Sequence, residues 1–117
     1  MPSNDRCLFC RIASGEINAR KVFEDDVAVA FHDINPQAPT HVLIVPRKHI
    51  PSLDEMSEAD AAIVGNVLLR AAQIARDLQL TSEGYRIVAN TGEAAGQTVF
   101  HIHFHILGGR NFGWPPG

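Results

Sequence analysis

Charge of one sign, long apolar runs and cysteines are all scarce in this chain. Ten Lys and Arg stand against thirteen Asp and Glu in 117 residues, a formal net charge of −3. That balance argues against a protein that grips nucleic acid by bulk electrostatics. No apolar run is long enough to span a membrane and no signal-peptide pattern follows Met1, so the sequence reads as soluble, cytoplasmic and without a membrane partner. No linker, repeat or low-complexity tract divides it. With 45% hydrophobic residues over this length, one domain covering 1–117 and a modest core are expected. The two cysteines, Cys7 and Cys10, form a Cys-x₂-Cys pair. A cytoplasmic setting disfavours a structural disulfide, and no strand precedes the pair as in a thioredoxin-like redox unit. The spacing also suits tetrahedral zinc, or two reduced and partly buried thiols.

Histidine, by contrast, is plentiful and patterned. Three of the six histidines lie in His101-Ile102-His103-Phe104-His105-Ile106-Leu107. Side chains in a strand alternate between faces, so this segment places three imidazoles on one face and Ile102, Phe104 and Ile106 toward a core behind it. Imidazole titrates closest to neutrality, and a row of imidazoles can supply a nucleophile, a proton donor and a charged partner for an oxyanion. Upstream runs Asn90-Thr91-Gly92-Glu93-Ala94-Ala95-Gly96-Gln97-Thr98. Its glycines let backbone N–H groups approach an anion, and Asn90, Gln97 and Thr98 add donors. Loop and triad together read as a phosphate or phosphoester site.

The rest of the chain predicts a scaffold for that strand. Residues 7–13 form a short apolar stretch of one or two helical turns. Segments 21–24 and 27–33 flank Asp25-Asp26 as a hairpin, with Val27, Val29, Phe31 and Asp33 on one face of the second strand. Residues 35–40 contain Pro36 and Pro39 and read as a loop, and 41–45 as an apolar strand ended by Pro46. The clearest helix spans 58–78, with Ser57 as N-cap and Asp60 in a capping-box position. Val64, Val67, Leu68, Ala71, Ile74, Ala75 and Leu78 make its buried stripe. Segments 85–89 and 100–107 supply two further strands. The expected class is α+β, a five-stranded antiparallel sheet carrying one long helix and a short N-terminal helix.

At these residues the chain resembles the histidine triad (HIT) superfamily. The run from Gly96 to Leu107 matches the signature His-φ-His-φ-His-φ-φ, where φ is apolar, without a departure. Phe23-Glu24-Asp25-Asp26, Ala30-Phe31-His32-Asp33-Ile34, Pro36-Gln37-Ala38-Pro39-Thr40-His41 and the tail Trp114-Pro115-Pro116-Gly117 are similar to the histidine triad nucleotide-binding branch. The resemblance implies a HIT-like fold and a homodimer whose sheets continue across the subunits. It also implies a purine nucleoside phosphoramidase working through a covalent nucleotidyl-histidine, with no catalytic metal. The alternatives are a dinucleoside polyphosphate hydrolase, against which the Trp-Pro-Pro-Gly ending argues, and a nucleotide-binding regulatory module with incidental turnover.

Residue by residue, the resemblance makes His103 the nucleophile and His105 a ligand of the α-phosphate. His101 completes the triad, and His41 sits behind His103, steadying its tautomer. Asn90 and Thr98, which alone could be turn residues, contact the phosphate or its leaving group, in a loop with Gly96 and Gln97. Asp33 accepts the ribose hydroxyls. Phe9, Ile12, Ile17, Phe31 and Ile34 sandwich a purine, with His32 beside it; by composition alone Phe31 and Ile34 would simply be core. Trp114 belongs to a tail that lies near the dimer partner's active site and shapes leaving-group selectivity. With those histidines so assigned, His49 and His101 remain as partners for Cys7 and Cys10. Some family members that keep both cysteines bind zinc in this way, and a four-ligand site leaves no open position for water, so the zinc is expected to be structural.

Overall fold

Period-two alternation in five strands and a 3.6-residue stripe on one helix build a two-sided sheet, seen in the computed structural model, which describes residues 6–117. In chain order these elements are α1 (Leu8–Ala13), β1 (Lys21–Glu24), β2 (Ala28–His32), β3 (Thr40–Pro46), α2 (Ala61–Asp77), β4 (Tyr85–Val88) and β5 (Phe104–Gly108). The sheet order is β1-β2-β3-β5-β4, antiparallel throughout. The expected α+β fold is therefore what forms.

The two faces have different tasks. Ala28, Ala30, Val42, Ile44, Phe104 and Ile106 pack beneath α2 with Val64, Val67, Ala71, Ile74 and Ala75. The other face carries Val29, Phe31, Leu43 and Val45, covered by Phe9, Cys10, Ile12 and Ala13 of α1. Asp25 Oδ1 accepts from the Val27 and Ala28 amides, both at 2.9 Å, and closes the β1–β2 turn. Arg70 of α2 donates to the same carboxylate, tying helix to hairpin.

Several boundaries differ from the sequence reading. The stretch 100–107 pairs only from Phe104 onward, because 101–103 leave the ladder to meet α1 and the 46–50 segment. The face alternation survives, since His101 and His103 both lie edge-on to Phe9 of α1 while Ile102 joins the core beneath α2. The helix at 58–78 opens with a 3₁₀ turn, Glu58–Asp60, before the α-helix begins. Asp60 accepts from the Ser57 amide at 3.1 Å and is held by Lys48 at 2.5 Å, so the expected capping box is present. Leu68 is 41% exposed and does not belong to the buried stripe; like Leu69 it sits on the outer flank of the helix. Strand β5 ends where Gly109 takes φ +90°, with Pro39 so close that an added Cβ would lie 2.8 Å from its Cβ. No helix among the described residues is long and apolar enough to cross a membrane.

Ile106 is fully buried at the centre of the sheet, paired with Val42 and Ile87. Ile106→Ala leaves a cavity between rigid strands, and it should lower unfolding stability by about 2–5 kcal/mol in urea titrations.

Candidate active site and metal centre

The pairing of β3 with β5 sets Leu43 opposite His105 and His41 opposite Leu107, which brings the His41 and His105 rings within reach on the α1 face. Their nitrogens meet at 2.9 Å, His41 Nε2 to His105 Nδ1. The Gln37 amide donates to His41 Nδ1 at 3.0 Å, so that nitrogen is the acceptor and a neutral His41 carries its proton on Nε2. It follows that His41 donates to His105 Nδ1, leaving the proton of His105 on Nε2. Asp33 Oδ2 stands 3.4 Å from His41 Nε2 and attracts the same proton. His41 thus steadies the tautomer of His105, not that of His103 as the sequence reading expected.

His103 takes its tautomer from the backbone. Its Nδ1 lies 2.7 Å from the His101 carbonyl oxygen, which can only accept, so Nδ1 carries the proton and the neutral ring keeps its lone pair on Nε2. The ring is buried, edge-on to Phe9 with centroids 5.0 Å apart and 5.2 Å from the His105 ring. Burial, followed by the neighbouring His103 and His41, pushes the pKa of His105 down to about 4 against the opposing pull of Asp33. Burial also lowers that of His41, again opposed by Asp33. Burial thus favours the neutral form of both His41 and His105.

His101 stands apart from this row. Its Nε2–H donates to the Pro46 carbonyl at 2.7 Å, and its Nδ1 lone pair points at Cys7 Sγ at 3.3 Å, Cys10 Sγ at 3.5 Å and His49 Nδ1 at 3.2 Å. Cys10 Sγ is 3.4 Å from His49 Nδ1. With zinc–sulfur bonds of about 2.3 Å and zinc–nitrogen bonds of about 2.0–2.1 Å, a tetrahedral site has edges of roughly 3.3–3.8 Å. The donors fit: these four pairs lie at 3.2–3.5 Å and all four atoms lie within 4.8 Å of one another, and the backbone carbonyl on the far nitrogen of His101 is the outer partner that metal-bound histidines normally have. Both ring nitrogens of His101 have partners here, so its side chain faces the donor cluster and Pro46. The Cys10 amide donates to Cys7 Sγ at 3.4 Å, the contact that caps α1.

Phe9, Ile12, Ile17, Phe31, His32, Asp33 and Ile34 line one cavity of about 230 Å³, Ile34 at its fully exposed edge. Leu8, Asn18, Ala19, Arg20 and Leu43 complete the wall and were missed. Leu43 was legible, two residues from His41 along β3; the 18–20 segment carries no pattern that places it there. Gly96, at φ +95°, lies against Asn90, whose Nδ2 would be 4.0 Å from an added Cβ. Gln97 is not free to meet a ligand. Its Oε1 accepts from the Gly92 amide at 2.9 Å and its Nε2 donates to the Pro51 and Val99 carbonyls, so it braces the loop from within. Thr98 is exposed beside Cys7, His49 and Phe100, in a separate cavity of about 440 Å³. Trp114 is 83% exposed, and the chain before it is held by Arg86 donating to the Gly113 carbonyl at 2.9 Å.

A HIT domain model matches residues 14–112. The chain belongs to the HIT family. An uncharacterized HIT-like protein of Synechocystis sp. is 50% identical over 110 residues, covering 94% of this chain and 96% of its own. A solved structure described as a HIT family hydrolase from Legionella pneumophila superposes with a TM-score of 0.94 at 51% identity, covering 96% of this chain and all of that one. A histidine triad nucleotide-binding protein from Candida albicans gives a TM-score of 0.78 at 31% identity, covering 95% of this chain and 84% of that one.

Two measurements check this geometry. Protein purified without chelator should carry about one zinc per chain by elemental analysis, the ratio of a single four-donor site. Stability should also fall on acidification. The unfolded chain binds a proton at His105 near pH 6.5, whereas the folded site resists it to about pH 4. The stability is therefore complete above roughly pH 6.5 and lost progressively toward pH 4. His105→Gln should make the urea midpoint less dependent on pH across that window, and an unchanged slope would contradict the burial argument.

Proposed function

We propose that this HIT protein is a hydrolase of purine nucleoside 5′-phosphoramidates that works through a nucleotidyl-His103 intermediate. The observation that carries the reading is the bond from His103 Nδ1 to the His101 carbonyl, because it leaves Nε2 as a bare lone pair. The names of the Legionella and Candida relatives, a hydrolase and a nucleotide-binding protein, support the same direction.

In this reading the base occupies the apolar cavity and the ribose hydroxyls bond Asp33 at its polar edge. The α-phosphorus then faces the histidine row. His103 Nε2 attacks it, a P–N(His) bond forms and the bond to the amine breaks, the amine taking a proton from solvent water as it leaves. His105 Nε2–H bonds a non-bridging oxygen, its tautomer held by His41. The Asn90–Gly96 loop serves the phosphate and the leaving group. Water then displaces His103 in a second in-line step and releases the nucleoside monophosphate. Splitting the hydrolysis in two, with all groups pre-placed, is what covalent catalysis and orientation contribute. The four-donor cluster touches no reacting atom, and its zinc would act on the fold. A homodimer fits the exposed Leu68, Leu69 and Trp114.

The test is a steady-state comparison of an adenosine phosphoramidate with a diadenosine polyphosphate on the pure protein. The phosphoramidate should be preferred; the opposite preference would move the protein to the polyphosphate-cleaving reading. His103→Ala should abolish turnover and the trapped adenylate while leaving nucleoside monophosphate affinity within about tenfold, since the cavity and Asp33 remain.

A further inference from the structure

His101 belongs to two clusters at once. Its ring supplies one of the four converging donors and anchors on Pro46, while its carbonyl fixes the proton on His103 Nδ1. That carbonyl shares a rigid peptide plane with the Ile102 amide. The Ile102 amide donates to the Ile50 carbonyl at 2.6 Å, and Ile50 directly follows His49, another of the four donors. The plane that presents an oxygen to His103 is therefore held at one end by a residue of the cluster, His101, and at the other by Ile50, the chain neighbour of His49. A staple needed only to join α1 to the sheet would not require this.

We propose that a divalent metal held by Cys7, Cys10, His49 and His101 positions the nucleophile: by locking the His101–Ile102 peptide it sets the tautomer and pose of His103. His101 is then a positioning residue, acting through its main chain on a ring it does not itself assist in the reaction. The inference goes beyond the proposed hydrolase activity and rests on that reading only for its kinetic arm.

Because coupling between two sites is reciprocal, the nucleophile must act back on the metal. Zinc affinity, measured by chelator competition, should be about three- to tenfold weaker in His103→Ala than in the wild type, the worth of one hydrogen bond. Stripping zinc should also change the ¹⁵N spectrum of the His103 ring. Distinct protonated and bare nitrogens in the loaded protein should move toward averaged values in the stripped one, and re-added zinc should reverse this. In the same preparation kcat should fall at least about tenfold with adenosine monophosphate affinity unchanged, as for a lost transition-state placement. Equal zinc affinity in wild type and His103→Ala would overturn the proposal. So would a folded, zinc-free protein whose His103 spectrum matches the loaded one. If the stripped protein unfolds, the affinity comparison decides alone. Should no phosphoramidate be hydrolysed while zinc affinity still responds to His103→Ala, the activity reading fails and the coupling stands.

Discussion

The antiparallel register of β3 on β5 is the constraint from which the site follows, because it sets His41 and His105 close enough to share one proton. Shifting that register by one residue would turn His105 toward the core beneath α2 and bring Phe104 or Ile106 out to the α1 face. The apolar side of the same strands forbids the shift, since Ile44, Phe104 and Ile106 are buried against α2. Packing energy on one face thus fixes the chemistry on the other. Here stability and function draw on alternate residues of the same strands.

A buried imidazole has two nitrogens and, when neutral, one proton, so each partner it meets decides where that proton sits. In this protein those partners are largely backbone groups. The Gln37 amide sets His41, the His101 carbonyl sets His103 and the Pro46 carbonyl sets His101. Backbone groups are placed by the fold and do not change rotamer, so the tautomers come from the scaffold. His105, in contrast with these three, takes its tautomer from another side chain, His41. Asp33 links that pair to the cavity edge, where its carboxylate also accepts from the Asn35 amide at 2.8 Å. A group that approaches Asp33 from the cavity therefore meets a charge already shared with the histidine row.

The Cys-x₂-Cys pair shows how little chain is needed to close the α1 face. α1 has six residues, too few to be stable alone, yet it carries Phe9, Cys10, Ile12 and Ala13 into the second core. Phe9 spans the two clusters, edge-on to His101 on one side and His103 on the other. Converging donors from α1, His49 and His101 lie 39 to 94 residues apart in sequence. A metal held there would join segments that no secondary structure connects.

Alternation and helical spacing were sufficient to read the sheet, the long helix, the capping box at Ser57 and Asp60, and the shared face of the three triad histidines. These are local properties, set by which way successive side chains point, and a single sequence carries them. The triad signature likewise led to the HIT family. Local pattern failed where tertiary contacts override it: at 101–103, drawn off the ladder toward α1 and Pro46; at Leu68, on the flank of the helix; and at Gln97, whose donors the loop consumes. Which histidine serves which partner was also beyond it. Spacing treats His101, His103 and His105 as equivalent, and only the fold decides that one faces two thiols, one a backbone carbonyl and one His41. Those choices depend on atoms that meet across dozens of residues, and proton placement follows from such meetings alone.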